Sequence, residues 1–182
     1  KSTPRDALED DESVDETANL DIAADRIAWG HNAISGQWCI APGYVYVHES
    51  VADAFIAKLK AAIVKMYGSD PQQSPDFARM ISEHDAQRVA SYILPDKVVH
   101  GGRSDIKARY VEPTVLYPST WDDPALQQEV FGPVLPVMRT GVDQAPTRTL
   151  AAVWVAFDIH TGSVGVAGGE SDHESGMPLP VG

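Results

Sequence analysis

Apolar residues along the chain recur with a helical period, then a strand-like one, then a helical one again. From Asn19 onward, Leu20, Ala23, Ala24, Ile27 and Ala28 share one face at three- and four-residue spacing. This predicts an amphipathic helix whose first turn Asn19 or Asp21 can cap, with Gly30 weakening its far end. Residues 44–48 read as a strand. Val51, Phe55, Leu59, Ile63 and Met66 then repeat at helical spacing, with Ser50 and Asp53 placed as a capping pair and Gly68 standing where a C-cap glycine belongs. Beyond a loop marked by Pro71 and Pro75, Ala86, Val89, Ala90 and Ile93 predict a third helix ending near Pro95. Short extended stretches follow at residues 97–100, 113–117, 134–138, 150–157 and 164–167, separated by Gly, Pro and Asp. Strands alternating with helices require crossover connections, so the expected fold is α/β, a mainly parallel sheet with flanking helices.

Composition narrows the classes of partner. With 182 residues, 43% of them hydrophobic, the chain can bury one substantial core. Its formal net charge of −12 argues against a phosphate-backbone ligand, which needs clustered Lys and Arg. Much of that charge is local: Asp6, Glu9, Asp10, Asp11, Glu12, Asp15 and Glu16 face only Lys1 and Arg5, so residues 1–18 are expected to form a mobile acidic arm or insertion. No stretch of about 18 apolar residues occurs, so no transmembrane segment and no membrane leader are expected. A single cysteine forbids an internal disulfide and favours a reducing, intracellular compartment, cytoplasmic or mitochondrial. The six histidines lack metal-ligand spacing, and no metal site is expected. Asp122 and Asp123 beside Pro124 read as a solvated turn rather than an acid–base pair, and the four tryptophans are not interleaved with basic residues, which leaves no nucleic-acid stacking platform.

Chemistry concentrates in two runs. Cys39 lies in Gly36, Gln37, Trp38, Cys39, Ile40, Ala41, Pro42, at the junction between a Gly-containing turn and a strand. A cysteine attacks as its thiolate and needs donors aimed at the developing oxyanion, which such a junction can supply. On residue type alone, Cys39 reads more readily as a small buried hydrophobe than as a nucleophile. The second run is Glu129, Val130, Phe131, Gly132, Pro133, opening into the apolar stretch 134–138. Alone, Glu129 reads as a solvated acidic turn and Phe131 as a core aromatic.

Taken together, these runs resemble the aldehyde dehydrogenase superfamily. Asp21 to Gly30 followed by Ser35, Gly36, Gln37, Cys39, Ile40, Ala41 and Pro42 is similar to its nucleophile segment in the class 3, fatty-aldehyde branch, and 129–136 is similar to its second signature. Tyr110, Glu112, Pro113, Thr114, Val115 and Leu116 resemble the strand before that signature, so the likeness runs from about Asn19 to Arg139. The resemblance implies NAD- or NADP-dependent oxidation of a hydrophobic aldehyde to a carboxylic acid, with Cys39 as nucleophile and Glu129 and Phe131 contacting the nicotinamide ribose and ring. It also implies a homo-oligomer or other protein partners.

The chain departs from the family pattern at several points. Ile34 replaces a usual asparagine, Trp38 a smaller residue, and Gly43 a common aspartate. Lys1 and Ser2 match the end of the stretch carrying the family's general-base glutamate, which would lie just before residue 1, and the oxyanion asparagine and dinucleotide-binding region have no counterpart in the sequence. The expected organisation is therefore an acidic arm over 1–18 and an aldehyde dehydrogenase-like catalytic domain over 19–182, shortened after about 140, incomplete at both ends and without the NAD-binding domain. Two functions follow as expectations: aldehyde oxidation through a cysteine thioester, or a catalytically inactive relative serving as a structural or assembly subunit.

Overall fold

The computed structural model describes residues 11–140, 155–158 and 163–166. The chain divides into two units, Lys1–Ala145 and Pro146–Gly182. The first contains strands β1 (Asp11–Val14), β2 (Tyr44–His48), β3 (Val98–His100), β4 (Ser104–Asp105), β5 (Tyr110–Val111), β6 (Thr114–Leu116) and β7 (Val134–Thr140), with helices α1 (Leu20–Asn32), α2 (Ala52–Tyr67) and α3 (Glu83–Ala90). Its main sheet has five strands in the order β1-β2-β7-β6-β3. The first four run parallel and β3 is antiparallel on β6, while β4 and β5 form a separate ribbon. The second unit carries an antiparallel hairpin of β8 (Val155–Asp158) and β9 (Ser163–Val166). A mainly parallel sheet with flanking helices is the architecture the sequence pattern implies.

One expectation is corrected at the N-terminal side. Residues 11–14, assigned to a mobile arm, are an edge strand in which Asp11 to Val14 pair with Tyr44 to Val47. Backbone pairing to β2 and full burial of Val14 outweigh the low strand propensity of an acidic run. Residues 15–18 of that expected arm form the turn into α1, with Ala18 N on Asp15 O at 3.2 Å, and residues 1–10 lie outside the described residues, as do most of 141–182.

The helices form for legible reasons. In α1, Asn19 accepts a hydrogen bond from the Ile22 N–H at 3.2 Å, and Ala24, Ile27, Ala28 and His31 recur on the buried face. In α2, Phe55, Leu59 and Ile63 are fully buried, each contributing roughly 1.5–3 kcal/mol of transfer free energy. Gly68 ends that helix at φ 79°, a conformation that favours glycine, with its N–H on Val64 O at 2.8 Å. The Ser50 cap does not form: Ser50 Oγ is bonded to His48 Nδ1 at 2.7 Å, and Val51 holds the N-cap position without a side-chain bond. Helix α3 is capped by Ser82, whose Oγ accepts from Asp85 N at 3.0 Å. It stops at Ala90 rather than near Pro95, because the Ser91 hydroxyl donates to Arg88 O and tight turns carry residues 92 and 93.

Candidate active site

Two loops leave the same side of the sheet and meet. The first joins α1 to β2 through a turn at Ala33–Gly36 and carries Cys39; the second, residues 127–133, enters β7. They touch backbone to backbone. A methyl group on Gly36 would lie 2.5 Å from Gly132 O, and one on Gly132 would lie 2.7 Å from both methyls of Val89 on α3. Gly36 also sits at φ 68°, so the glycine is required both by conformation and by contact.

The cysteine loop is fastened on every side. Ser35 Oγ donates to Ala78 O at 2.6 Å, Gln37 Nε2 donates to Arg79 O at 3.1 Å, and Gln37 Oε1 accepts from Ile81 N at 2.9 Å. Ile34 and Ser35 adopt positive φ of 53° and 56°, a strain these bonds hold in place. Trp38 donates its indole N–H to Gly30 O at 2.9 Å and stands edge-on to Trp29 at 5.6 Å between centroids. His31 Nδ1 donates to Pro42 O at 2.8 Å.

Between the loops lies a shallow cleft lined by Gly36, Trp38, Ala41, Pro42, Glu129 and Phe131, with His31 beneath. The structure therefore brings Glu129 and Phe131 together with the residues flanking Cys39. Cys39 itself is exposed on its turn and is not among the lining residues, so its reading as a small buried hydrophobe is overturned. Phe131 is likewise no core aromatic: it is 38% exposed and held at φ 46°.

Sequence reasoning passed over His31. Its spacing of seven from Ala24 places it on the buried face of α1, and it is 3% exposed with Nε2 unpartnered. Burial drives its pKa down to about 4, partly offset by the Pro42 bond, so the ring is neutral at pH 7. Among the described residues, no group of three or more His, Cys, Asp or Glu could hold a metal ion, and no helix is long and apolar enough to cross a membrane.

The cysteine-bearing turn and the acidic–aromatic loop enter two neighbouring parallel strands, β2 and β7, both from their amino ends. The sequence model of the aldehyde dehydrogenase family matches residues 10–146, and the chain belongs to that family. Over 125 residues it is 42% identical to the dimeric NADP-preferring aldehyde dehydrogenase of Rattus norvegicus, covering 69% of this chain and 28% of that protein. Over 127 residues it is 42% identical to the 4,4'-diaponeurosporen-aldehyde dehydrogenase of Staphylococcus aureus, again 69% of this chain and 28% of that protein. Among solved structures, the substrate-bound state of Staphylococcus aureus AldH superposes with a TM-score of 0.71 at 40% identity, covering 72% of this chain and 29% of that one. The NAD-dependent aldehyde dehydrogenase of Sinorhizobium meliloti gives 0.63 at 31% identity, covering 73% and 28%. The chain thus spans well under a third of the length of these relatives.

Proposed function

We propose that this chain carries the nucleophile and the nicotinamide-contacting part of an NAD(P)-dependent oxidation of hydrophobic aldehydes to carboxylic acids. The observation that carries the reading is the close approach of Gly36 and Gly132, which sets the cysteine turn and the 129–133 loop on one cleft. Cys39 Sγ, as thiolate, adds to the aldehyde carbon to form a thiohemiacetal. Bound NAD or NADP would accept the hydride from that carbon, leaving a thioester. Water then displaces Cys39 and releases the acid, so covalent capture splits one difficult step into two.

The residues present fit the nicotinamide end of that cofactor. Glu129 offers an exposed carboxylate to ribose hydroxyls, and the half-exposed Phe131 ring offers an apolar face. Among the described residues nothing cradles a pyrophosphate: α1, α2 and α3 open after Asn19, Val51 and Ser82, without a glycine-rich turn. A thiol working this way is best kept in a reducing compartment.

A second reading, a non-catalytic assembly subunit, is favoured by one observation. Trp29, Ile34, Ile40, Ile81 and Phe131, on the elements that meet at the cysteine turn, are 59%, 60%, 70%, 78% and 38% exposed. Apolar surface of this kind is commonly covered by a partner. The two readings separate in one assay: NADH or NADPH formation with an aromatic or long aliphatic aldehyde, lost in Cys39→Ser, supports oxidation. No signal at saturating NAD and NADP, with co-purification of a fixed partner indifferent to Cys39→Ser, supports the subunit.

A further inference from the structure

The last turn of α1 grips the cysteine turn on both sides of the thiol. One residue before Cys39, the Trp38 indole N–H reaches back to Gly30 O at 2.9 Å; three residues after it, Pro42 O accepts from His31 Nδ1 at 2.8 Å. The donors and acceptors alternate between helix and turn: the helix supplies a carbonyl and a ring N–H, the turn an indole N–H and a carbonyl. Within the clasp the turn is closed only by the 3.2 Å bond from Ala41 N to Trp38 O. Trp38 is also braced edge-on by Trp29, an aromatic contact that needs no hydrogen bond.

We propose that His31 and Trp38 are positioning residues that fix the orientation of Cys39 by clasping its turn to the end of α1. This rests on Cys39 being the working nucleophile, but the clasp itself can be tested without turnover. His31 acts here as a neutral donor through Nδ1, not as an ion-pair partner: burial keeps the ring uncharged at pH 7, and the Pro42 carbonyl fixes the tautomer with hydrogen on Nδ1. Its role is therefore geometric, and any side chain presenting an N–H at the same place should replace it. Asparagine does so, because its amide nitrogen falls where Nδ1 lies, one carbon beyond Cβ. Glutamine places its nitrogen farther out, toward Nε2, and leucine offers no donor. Loss of the clasp leaves the Pro42 carbonyl unpaired and the turn free to sample other conformations.

A lone cysteine makes the readout specific. The full chain, labelled on Cys39 with a nitroxide, is compared by electron paramagnetic resonance with His31→Asn, His31→Leu and Trp38→Phe, the last keeping a ring against Trp29 while removing the N–H. The clasp predicts a mainly immobilised spectrum for the wild type and for His31→Asn. It predicts at least a doubling of the mobile component in His31→Leu and Trp38→Phe, at unchanged far-ultraviolet circular dichroism. If His31→Leu fails to fold, Trp38→Phe and the Asn-against-Gln comparison carry the test, with Gln expected on the mobile side. Identical line shapes in the folded variants, or Asn behaving like Leu or Gln, overturn the clasp. Either result stands whether or not the chain oxidises aldehydes, since a correct clasp with no NADH formation would refute only the catalytic reading.

Discussion

Replacing Gly132 by alanine would test the contact that joins the two loops. The new methyl group would sit 2.7 Å from both Val89 methyls, against the 3.4–4 Å of ordinary contact, so α3 or the 129–133 loop must yield by about 0.7 Å. Overpacking of this size costs roughly 1–3 kcal/mol. Val89 is fully buried, and Val89→Ala alone, removing two methylene equivalents, costs about 2 kcal/mol. The double variant removes the clashing atoms and fills part of the cavity with the new methyl. Its cost should therefore fall well below the sum, with a coupling of about −2 kcal/mol. Urea denaturation of the four proteins, read by tryptophan fluorescence, measures the cycle. Additive costs would show that the two residues do not touch, and the site built on that packing would lose its support. Gly36→Ala supplies the contrast: its clash is with a carbonyl oxygen and its φ is positive, so no side-chain substitution should rescue it.

Other expectations follow from neighbouring features. His31 has a folded pKa of about 4 against an ordinary value of 6.5, so the unfolded chain binds its proton first as pH falls. Its contribution to stability is complete above pH 6.5 and is lost between 6.5 and about 4, amounting to about 3 kcal/mol. His31→Asn should flatten that part of the pH dependence of urea midpoints relative to wild type, and parallel profiles would refute it. Lys97 Nζ lies 2.6 and 2.8 Å from the two oxygens of the buried Asp123 carboxylate, which is held below its ordinary pKa by Lys97 and Thr120 against the opposing effect of burial. Lys97→Met should destabilise the fold by roughly 2–4 kcal/mol at pH 7, and the loss should shrink as acid protonates Asp123. A midpoint unchanged at neutral pH would contradict this.

Much of the fold is written in local patterns. Phe55, Leu59 and Ile63 lie on the face that their spacing predicts, and the alternation of helices with strands correctly implies a parallel sheet. Strand β1 was not legible, because Asp11, Glu12 and Ser13 have no strand propensity of their own and extend only through pairing to β2. Ser50 looked like a cap, yet His48, two residues back, competes for its hydroxyl. At the site, Cys39, Glu129 and Phe131 stood out by residue type and family likeness. The structure adds what links them: the Gly36–Gly132 approach, the Val89 contact and the His31–Pro42 bond, all between residues distant in sequence or on different elements. His31 could have been found from its register on α1, but nothing local marks the carbonyl it serves.

The central claim is that Cys39, carried on the turn that lines a cleft with Glu129 and Phe131, captures an aldehyde carbon. The most direct test is intact-mass and peptide mapping of the chain after incubation with an aromatic aldehyde and NAD or NADP, quenched in acid to preserve thioesters. The account predicts an acyl adduct on the Cys39 peptide that requires the oxidised cofactor, is absent in Cys39→Ser and is reduced in Glu129→Gln. An unmodified Cys39 at saturating aldehyde and cofactor, or an adduct equally abundant without cofactor, would contradict it.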